Sequence, residues 1–444
     1  MSNVDQRGSG HRSQDYVSAA EAAEYLGVKL ATLYAYTSRG LVQSMAGPKG
    51  RARLYFRRDL ERLRARRDAR AGHGPVAAAA LRFGEPVLDS SITAIAWNQG
   101  PIYRGVPAIE FAENGTPFEA VAEFLWSGTP PENEQADTIK YLWSALDFGL
   151  PAEPLGALLH ESLPPLTALS LVVPLLASRD PGRFTVRPEA VLPRARSLIR
   201  RMIASLAFCL PRVEVEAALA AALDADSLAS AVLAAFGADQ SDERVEAVNR
   251  ALVLGADHEL NASTFAARIA ASTGADIHAC VSAALATLSG PRHGGAADRV
   301  EALLEEVSSP DEATNVVYER QRRGERIEGF GHPLYPEGDP RGRALLDLAS
   351  ALGPEDQAVT RCLALVDAME ESGQGEATID VGLVALALAL DLPRGAASGI
   401  FAVSRCVGWV AHALEQYEAG YLLRPRARYQ EAEGPEIQRL DDSR

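Results

Sequence analysis

Apolar positions along this chain recur mostly at the three-to-four spacing of helices, and the interruptions between them are sharp. Val281, Leu285 and Leu288 mark one face of a helix that ends at Gly290, and Val403, Val407, Val410 and Leu414 mark another within residues 399–414. From Pro117 onward the helical pattern is cut at residues 128–131, 163–166, 179–182 and 237–239, each rich in glycine or proline. The stretch Leu81 to Gly105 reads otherwise. Its alternation and turn residues around Val87 to Ile95 predict strands. No short-period repeat is present. The pattern as a whole predicts a mainly α fold.

The first 80 residues follow a different plan. Residues 1–15 read as a disordered lead and 71–80 as a linker. Between them, Ser18 caps a short helix and Glu21 completes a capping box, with Ala23 and Leu26 facing inward and Gly27 as the stop. A second helix, Ala31 to Arg39, ends at Gly40. Two short helices joined by a glycine turn predict a helix-turn-helix, whose second helix can enter a major groove. A basic hairpin over Gly47 to Tyr55 has the pattern of a wing, and Arg57 to Arg70 reads as a basic helix. Residues 16–70 resemble the winged helix-turn-helix of MerR-type regulators. On that reading Lys49, Arg51, Arg53, Arg57 and Arg58 would meet phosphates, and Thr32, Tyr34 and Tyr36 would face bases as exposed positions. The plainer alternative is a helical docking module with a solvated basic face.

Charge sharpens this division. The net charge is −15, yet residues 1–74 hold 14 Lys/Arg against 7 Asp/Glu, a balance of +7, which leaves −22 for the remainder. A basic small domain on an acidic chain points to nucleic acid as a partner of residues 16–70. Length allows two to three domains with a large core. A hydrophobic fraction of 47% with only 6% aromatic residues favours closely packed helices over a β-sandwich. No uninterrupted apolar run reaches the roughly 18 residues of a membrane span, and the polar start, Met1 to Asp15, lacks a signal core. The four cysteines, Cys209, Cys280, Cys362 and Cys406, lie far apart in apolar segments without metal-ligand spacing. Reduced core thiols in a cytoplasmic protein are the expectation, with no membrane partner.

Candidate chemistry concentrates between Gly290 and Arg341. His293 lies in Gly-Pro-Arg-His-Gly-Gly and His332 in Gly-Phe-Gly-His-Pro, so each is presented by a turn rather than by a helix face. Asp339-Pro340-Arg341 follows. Upstream, His258 and Asn261 form a polar patch ahead of a buried helix, where Asp257 and Ser263 could instead be simple caps. Asp380 stands before the wholly apolar Val381 to Leu390, either as a helix cap or as a general base whose pKa is raised by apolar neighbours. Arg405 is the only formally charged residue of 399–414 and needs an anion, from the protein or from a ligand. Arg341 and Arg424 tilt that choice towards a ligand with several carboxylates.

These segments together resemble the citrate synthases. The similar stretches are Ala-Asp-His-Glu-Leu-Asn-Ala-Ser-Thr (256–264), Gly-Pro-Arg-His-Gly-Gly-Ala (290–296), Gly-Phe-Gly-His (329–332), Asp-Pro-Arg (339–341), and those that begin at Arg405 and at Arg424. The resemblance implies a two-domain, all-helical homodimer over residues 81–430, with a small domain at 290–395 and a tail at 431–444. It implies condensation of acetyl-CoA with oxaloacetate, with acetyl-CoA as substrate and no metal or resident cofactor. Asp380 would be the base, His293 the donor to the enol or enolate, and His332 the residue that polarises the ketone. His258, Asn261, Arg341 and Arg405 would hold oxaloacetate, with Arg424 reaching over from the partner subunit. Two departures stand out. The family's Asn-Val-Asp-Phe-Tyr-Ser-Gly is here Thr-Ile-Asp-Val-Gly (378–382), and its Gly-His-Arg-Val-Tyr is Gly-His-Pro-Leu-Tyr (331–335). Propionyl-CoA as acyl donor, and a transcriptional regulator that senses a metabolite without turnover, are the alternatives.

Overall fold

The structure, a computed structural model, describes residues 16–38, 42, 44–46, 53–57, 59–60, 88–130, 136–144, 147–151 and 163–425. The chain divides into two compact units, Ser90–Arg424 and the remainder (Met1–Asp89 with Pro425–Arg444). The expected lead (1–15), linker (71–80) and tail (431–444) lie outside the described residues, as do Lys49, Arg51 and Arg58.

In the smaller unit, β1 (Tyr16–Ser18) leads directly into α1 (Ala19–Leu26), and α2 (Leu30–Ser38) follows after a three-residue turn. The capping box forms as the sequence predicts. Glu21 N–H donates to Ser18 Oγ at 3.3 Å, and Ser18 N–H donates to Glu21 Oε2 at 2.8 Å. Gly27 ends the helix at φ 59, a left-handed conformation that glycine adopts without a Cβ penalty. β2 (Ser44–Ala46) and β3 (Arg53–Phe56) form the arms of the wing, and β1 joins them in the antiparallel order β1-β3-β2. Ala22, Ala23, Leu26, Leu33, Val42, Tyr55 and Leu60 make a small core of their own. Tyr34 is 53% exposed, as a reading residue must be, but Tyr36 is half-buried against that core and Thr32 is half-buried too. The reason is periodicity: Tyr36 follows the buried Leu33 by three positions and shares its face.

The larger unit opens with the strands that the turn-rich segment predicts: β4 (Thr93–Ala96), β5 (Gly100–Tyr103) and β6 (Val106–Pro107), antiparallel in sequence order. Helices then dominate, with breaks at the expected places. Phe118–Ser127 stops at Gly128, and Pro165–Arg179 begins on the proline pair and ends before Asp180. Six helices converge on the polar centre. They are α3 (Asp242–Gly255) with the loop after it, α4 (Ala262–Ser272) packed on α5 (Ile277–Leu288), α6 (Pro340–Leu352) crossing α7 (Ile379–Ala389), and α8 (Ala396–Ala419) behind them. By length and composition α8 could span a bilayer, but 89% of its apolar window is buried by the protein itself. Its neighbours therefore replace lipid, and Val403, Val407 and Val410 are fully buried while Leu414 is only half-buried.

Two close approaches set this geometry. A Cβ on Gly342 would lie 2.6 Å from Thr378 O, and one on Gly382 would lie 2.8 Å from Gly342 O, so α6 and α7 cross glycine to glycine. On α8, a Cβ on Gly408 would stand 2.2 Å from Asp257 Oδ1, and Gly408 N–H donates to Ala256 O at 3.1 Å. The loop that carries His258 is thereby pressed against α8. The cysteines are free thiols, three buried and Cys209 half-buried.

Candidate active site

Each functional side chain is placed by a short piece of local structure. His258 lies in the loop after α3. Asp257 beside it is fully buried, and its Oδ2 accepts from Glu259 N–H at 3.2 Å and lies 3.3 Å from His412 Nε2. That bond holds Glu259 at φ 54, a turn that reverses the chain after His258. From β5, Tyr103 Oη donates to Val253 O at 2.9 Å and accepts from Asp257 N–H at 3.2 Å, which fixes the loop from the other side. Asp257 is thus no helix cap. Nor is Ser263: the cap of α4 is Asn261, whose Oδ1 accepts from Thr264 N–H at 3.1 Å. Asn261 does a cap's work, and its Nδ2 is buried without a partner.

His258 Nε2 lies 2.7 Å from Tyr335 Oη, and the rings of His258, His332 and Tyr335 pack together with centroids 4.9–5.6 Å apart. Burial, with the nearby charges of Arg341 and Arg405, holds His258 well below the usual imidazole pKa. His332 is likewise lowered by burial and by Arg341. Its Nδ1 accepts the Leu334 N–H at 3.1 Å, so a neutral His332 carries its proton on Nε2 and can only donate there.

Arg341 is buried, and its Nε and Nη2 are taken by Asp339, at 2.9 and 2.8 Å. Burial works against the guanidinium charge, but Asp339 outweighs it and leaves the pKa above its ordinary value. Sequence reading treated Arg341 as a clamp free for a ligand; only Nη1 remains without a partner. Asp339 also caps α6 and receives the Ile379 N–H at 3.1 Å, so it joins the first turns of α6 and α7.

Asp380 stands in the first turn of α7. The cap position is Thr378, whose Oγ1 donates to Asp380 Oδ2 at 3.1 Å. Burial raises the carboxyl pKa, with Thr378 and Arg341 pulling the other way. The sequence leaves open cap or base; the cap position belongs to Thr378, which makes no side-chain cap bond. Arg405 is 2% exposed on α8, donates from Nε to Gly255 O at 2.7 Å, and forms no ion pair among the described residues. Burial brings its pKa down to about 10 against the pull of Asp257. Its charge acts on His258, His293 and Asp380, which puts all of them around one centre.

His293 stays in its turn, and burial with Arg405 lowers it to about 4, a neutral imidazole. Its Nε2 lies 2.9 Å from Ser263 Oγ, which also accepts from Trp409 Nε1 at 3.2 Å and lies 2.8 Å from Asn261 Oδ1. Arg424 alone stands apart, exposed and without a hydrogen bond or ion pair among the described residues. Sequence reading missed Tyr335, Asp339 and Trp409, although all three sit inside the quoted motifs.

Three imidazoles of lowered pKa, a buried carboxyl and two buried guanidinium groups suit proton transfer next to a carbonyl of a polyanionic substrate. Relatives decide which family does this. Residues 82–426 match the family described as "Citrate synthase, C-terminal domain". Citrate synthase 2 of Bacillus subtilis (strain 168) is 31% identical over 345 residues, 76% of this chain and 91% of the relative.

The chain belongs to the citrate synthase family.

It is an enzyme of the acyltransferase class, preceded by a helix-turn-helix domain matched over residues 16–68. The 2-methylcitrate synthase 1 of Corynebacterium glutamicum is 28% identical over 358 residues, 76% of this chain and 90% of the relative. Among solved structures, citrate synthase from Thermotoga maritima MSB8 is 27% identical with a TM-score of 0.63, covering 81% of this chain and 98% of its own. The ternary complex of carboxymethyl coenzyme A and oxaloacetate with citrate synthase from Thermoplasma acidophilum is matched in fold, at 24% identity and TM-score 0.68 over 82% of this chain and 98% of its own.

Proposed function

We propose that this citrate synthase condenses acetyl-CoA with oxaloacetate through Asp380, His293 and His332. The observation that carries the reading is the grouping of a buried carboxyl and two imidazoles of lowered pKa with Arg341 and Arg405, of which Arg405 forms no ion pair among the described residues. Asp380 takes a proton from the methyl group next to the thioester, and its raised pKa makes it a stronger base than an exposed carboxylate. His293 donates a hydrogen bond to the enolate oxygen as it forms. The nucleophilic carbon attacks the ketone of oxaloacetate, and His332 Nε2 polarises that ketone and then gives its proton to the alkoxide. Water finally cleaves the thioester, giving citrate and CoA. Arg405, Arg341 Nη1, His258 and Asn261 receive the carboxylates of oxaloacetate, and Arg424 completes the set from a second copy in a homodimer. Residues 290–395 act as the small domain that closes over the substrates. The free, mostly buried thiols suit a cytoplasmic setting.

The acyl donor is the open choice within this reading, since acetyl and propionyl differ by one methylene, worth about 1–3 kcal/mol in a pocket. A purified full-length chain given oxaloacetate and acetyl-CoA is expected to form citrate and free thiol in equal amounts. Asp380→Ala is expected to form neither; unchanged turnover in that variant would remove the base.

The smaller unit adds a partner. Tyr34 on α2 and the exposed Arg53 and Arg57 at the wing, with Lys49 and Arg51 in the sequence just before Arg53, support binding to duplex DNA. A sensor without turnover would need the arginines but not Asp380, so the buried carboxyl favours an enzyme that also binds DNA.

A further inference from the structure

Ser263 Oγ carries one proton and meets three polar groups: Trp409 Nε1 at 3.2 Å, Asn261 Oδ1 at 2.8 Å and His293 Nε2 at 2.9 Å. The indole can only donate, which uses one lone pair. Asn261 Oδ1 also accepts from Thr264 N–H, so that atom is the amide oxygen and must receive the hydroxyl proton. The second lone pair then takes a proton from His293 Nε2. A neutral imidazole protonated on Nε2 has a bare Nδ1, which accepts hydrogen bonds and cannot give one.

The reaction proposed above needs the opposite tautomer. With Nε2 occupied by Ser263, Nδ1 is the nitrogen left for the thioester, and it must carry a proton to stabilise the enolate oxygen. The orphaned Asn261 Nδ2 supplies the way out. A half-turn of the amide places Nδ2 against Ser263 Oγ, where it donates. The hydroxyl proton then turns to His293 Nε2, and the imidazole proton resides on Nδ1. Every group around Ser263 is satisfied in this second arrangement: two donors in, one proton out. The cost is the cap bond, because Thr264 N–H loses its acceptor. In the first orientation the two Nδ2 hydrogens lack partners, and in the second Thr264 N–H, one Nδ2 hydrogen and Oδ1 do, so the second is the costlier at rest and a bound thioester, as an acceptor at Nδ1, must supply the difference.

We infer that the Asn261 amide is a positioning switch that sets the tautomer of His293, through Ser263, between a resting acceptor and a catalytic donor. The inference rests on the enolate-stabilising role of His293. It assigns Asn261 a task beyond capping and beyond touching oxaloacetate.

Two variants of the full chain test it. Asn261→Asp keeps an acceptor for Thr264 N–H, and so keeps the cap, but has no N–H to give Ser263. Asn261→Ser is also a good cap and is too short to hold the Ser263 proton. The expected result is a fall in kcat of about 10²-fold for Asn261→Asp, the size seen when one donor to a developing oxyanion is lost. Both variants lack the Nδ2 donor, so any change in KM for oxaloacetate should be shared by the two, while Asn261→Ser should lose much less kcat than Asn261→Asp; the melting temperature should stay near the parent value in both. Equal kcat in the parent and both variants would overturn the switch while leaving the proposed reaction standing. A parallel loss in both variants, with a lowered melting temperature, would reduce Asn261 to a cap and overturn it too. A parent chain that releases no thiol would remove the reaction itself, and the switch with it.

Discussion

Asp339 grips Arg341 with both carboxylate oxygens, and one of those oxygens also receives the N–H of Ile379, the residue before Asp380. One buried carboxylate therefore fixes the arginine proposed to bind substrate and the first turn of the helix that carries the proposed base. Removing it by Asp339→Ala would strand a buried guanidinium, at a cost of about 3–5 kcal/mol. Arg341→Met, which removes the charge while filling the space, should unfold less readily than Asp339→Ala. Denaturant unfolding of both variants checks this order. If Asp339→Ala were the more stable of the two, the pair would not be holding the site together.

The crossing of α6 and α7 makes a second prediction. Neither Gly342 nor Gly382 has room for a methyl group, because the atoms a Cβ would meet include backbone of the opposite helix. Gly342→Ala should cost about 1–3 kcal/mol of stability by overpacking. It should also lower kcat more than it raises KM, since the shift falls on Thr378 and hence on Asp380. A variant as stable and active as the parent would show that the helices separate freely.

Protonation supplies a third. His258, His293 and His332 all have folded pKa values below the unbound imidazole value of 6.5. Below pH 6.5 the unfolded chain binds protons that the folded chain refuses, so stability present above 6.5 is lost as the pH falls. Each imidazole contributes up to about 1.4 kcal/mol per pH unit across that window. Asp380, like Glu119, Glu259, Glu301 and Glu370, works the other way, because a raised pKa lets the folded chain take up a proton first, but a carboxyl does so from a lower starting value than an imidazole, and the lowered His278 adds to the three. Melting temperatures at pH 8, 6.5 and 5.5 should be level across the first interval and fall across the second. A rise on acidification would contradict the neutral imidazoles.

Much of this site could be read from the sequence, and what escaped has a physical reason. The two histidine turns, the capping box at Ser18 and Glu21, and the helix breaks are local signals, and each is where the spacing puts it. Tyr335, Asp339 and Trp409 escaped because their roles depend on partners that tertiary packing brings in. Trp409 meets Ser263 across 146 residues of sequence, and Tyr335 meets His258 across 77. The sequence reads Asn261 as part of a substrate-binding patch and leaves Ser263 open as a cap, whereas Asn261 is the cap and Ser263 meets His293, since a cap and a hydrogen-bond relay need the same small polar side chains. Tyr36 was a missed period: its spacing from Leu33 was enough to turn it inward.

For the smaller unit, Arg53→Ala and Arg57→Ala should each weaken duplex DNA binding with little dependence on sequence. Each should also reduce the salt dependence of affinity by about one counterion. Fluorescence anisotropy of the full chain on labelled duplex at several salt concentrations measures both. Unchanged affinity and slope would assign the basic face to solvent or to a protein partner.

The central claim is that this chain turns over, with His293 in the reaction. The most direct measurement is the steady-state release of free thiol by the full chain with oxaloacetate, using acetyl-CoA and then propionyl-CoA. The account predicts oxaloacetate-dependent release with acetyl-CoA that falls at least about 10²-fold in His293→Ala. Saturable oxaloacetate binding with no thiol release from either acyl donor would contradict it.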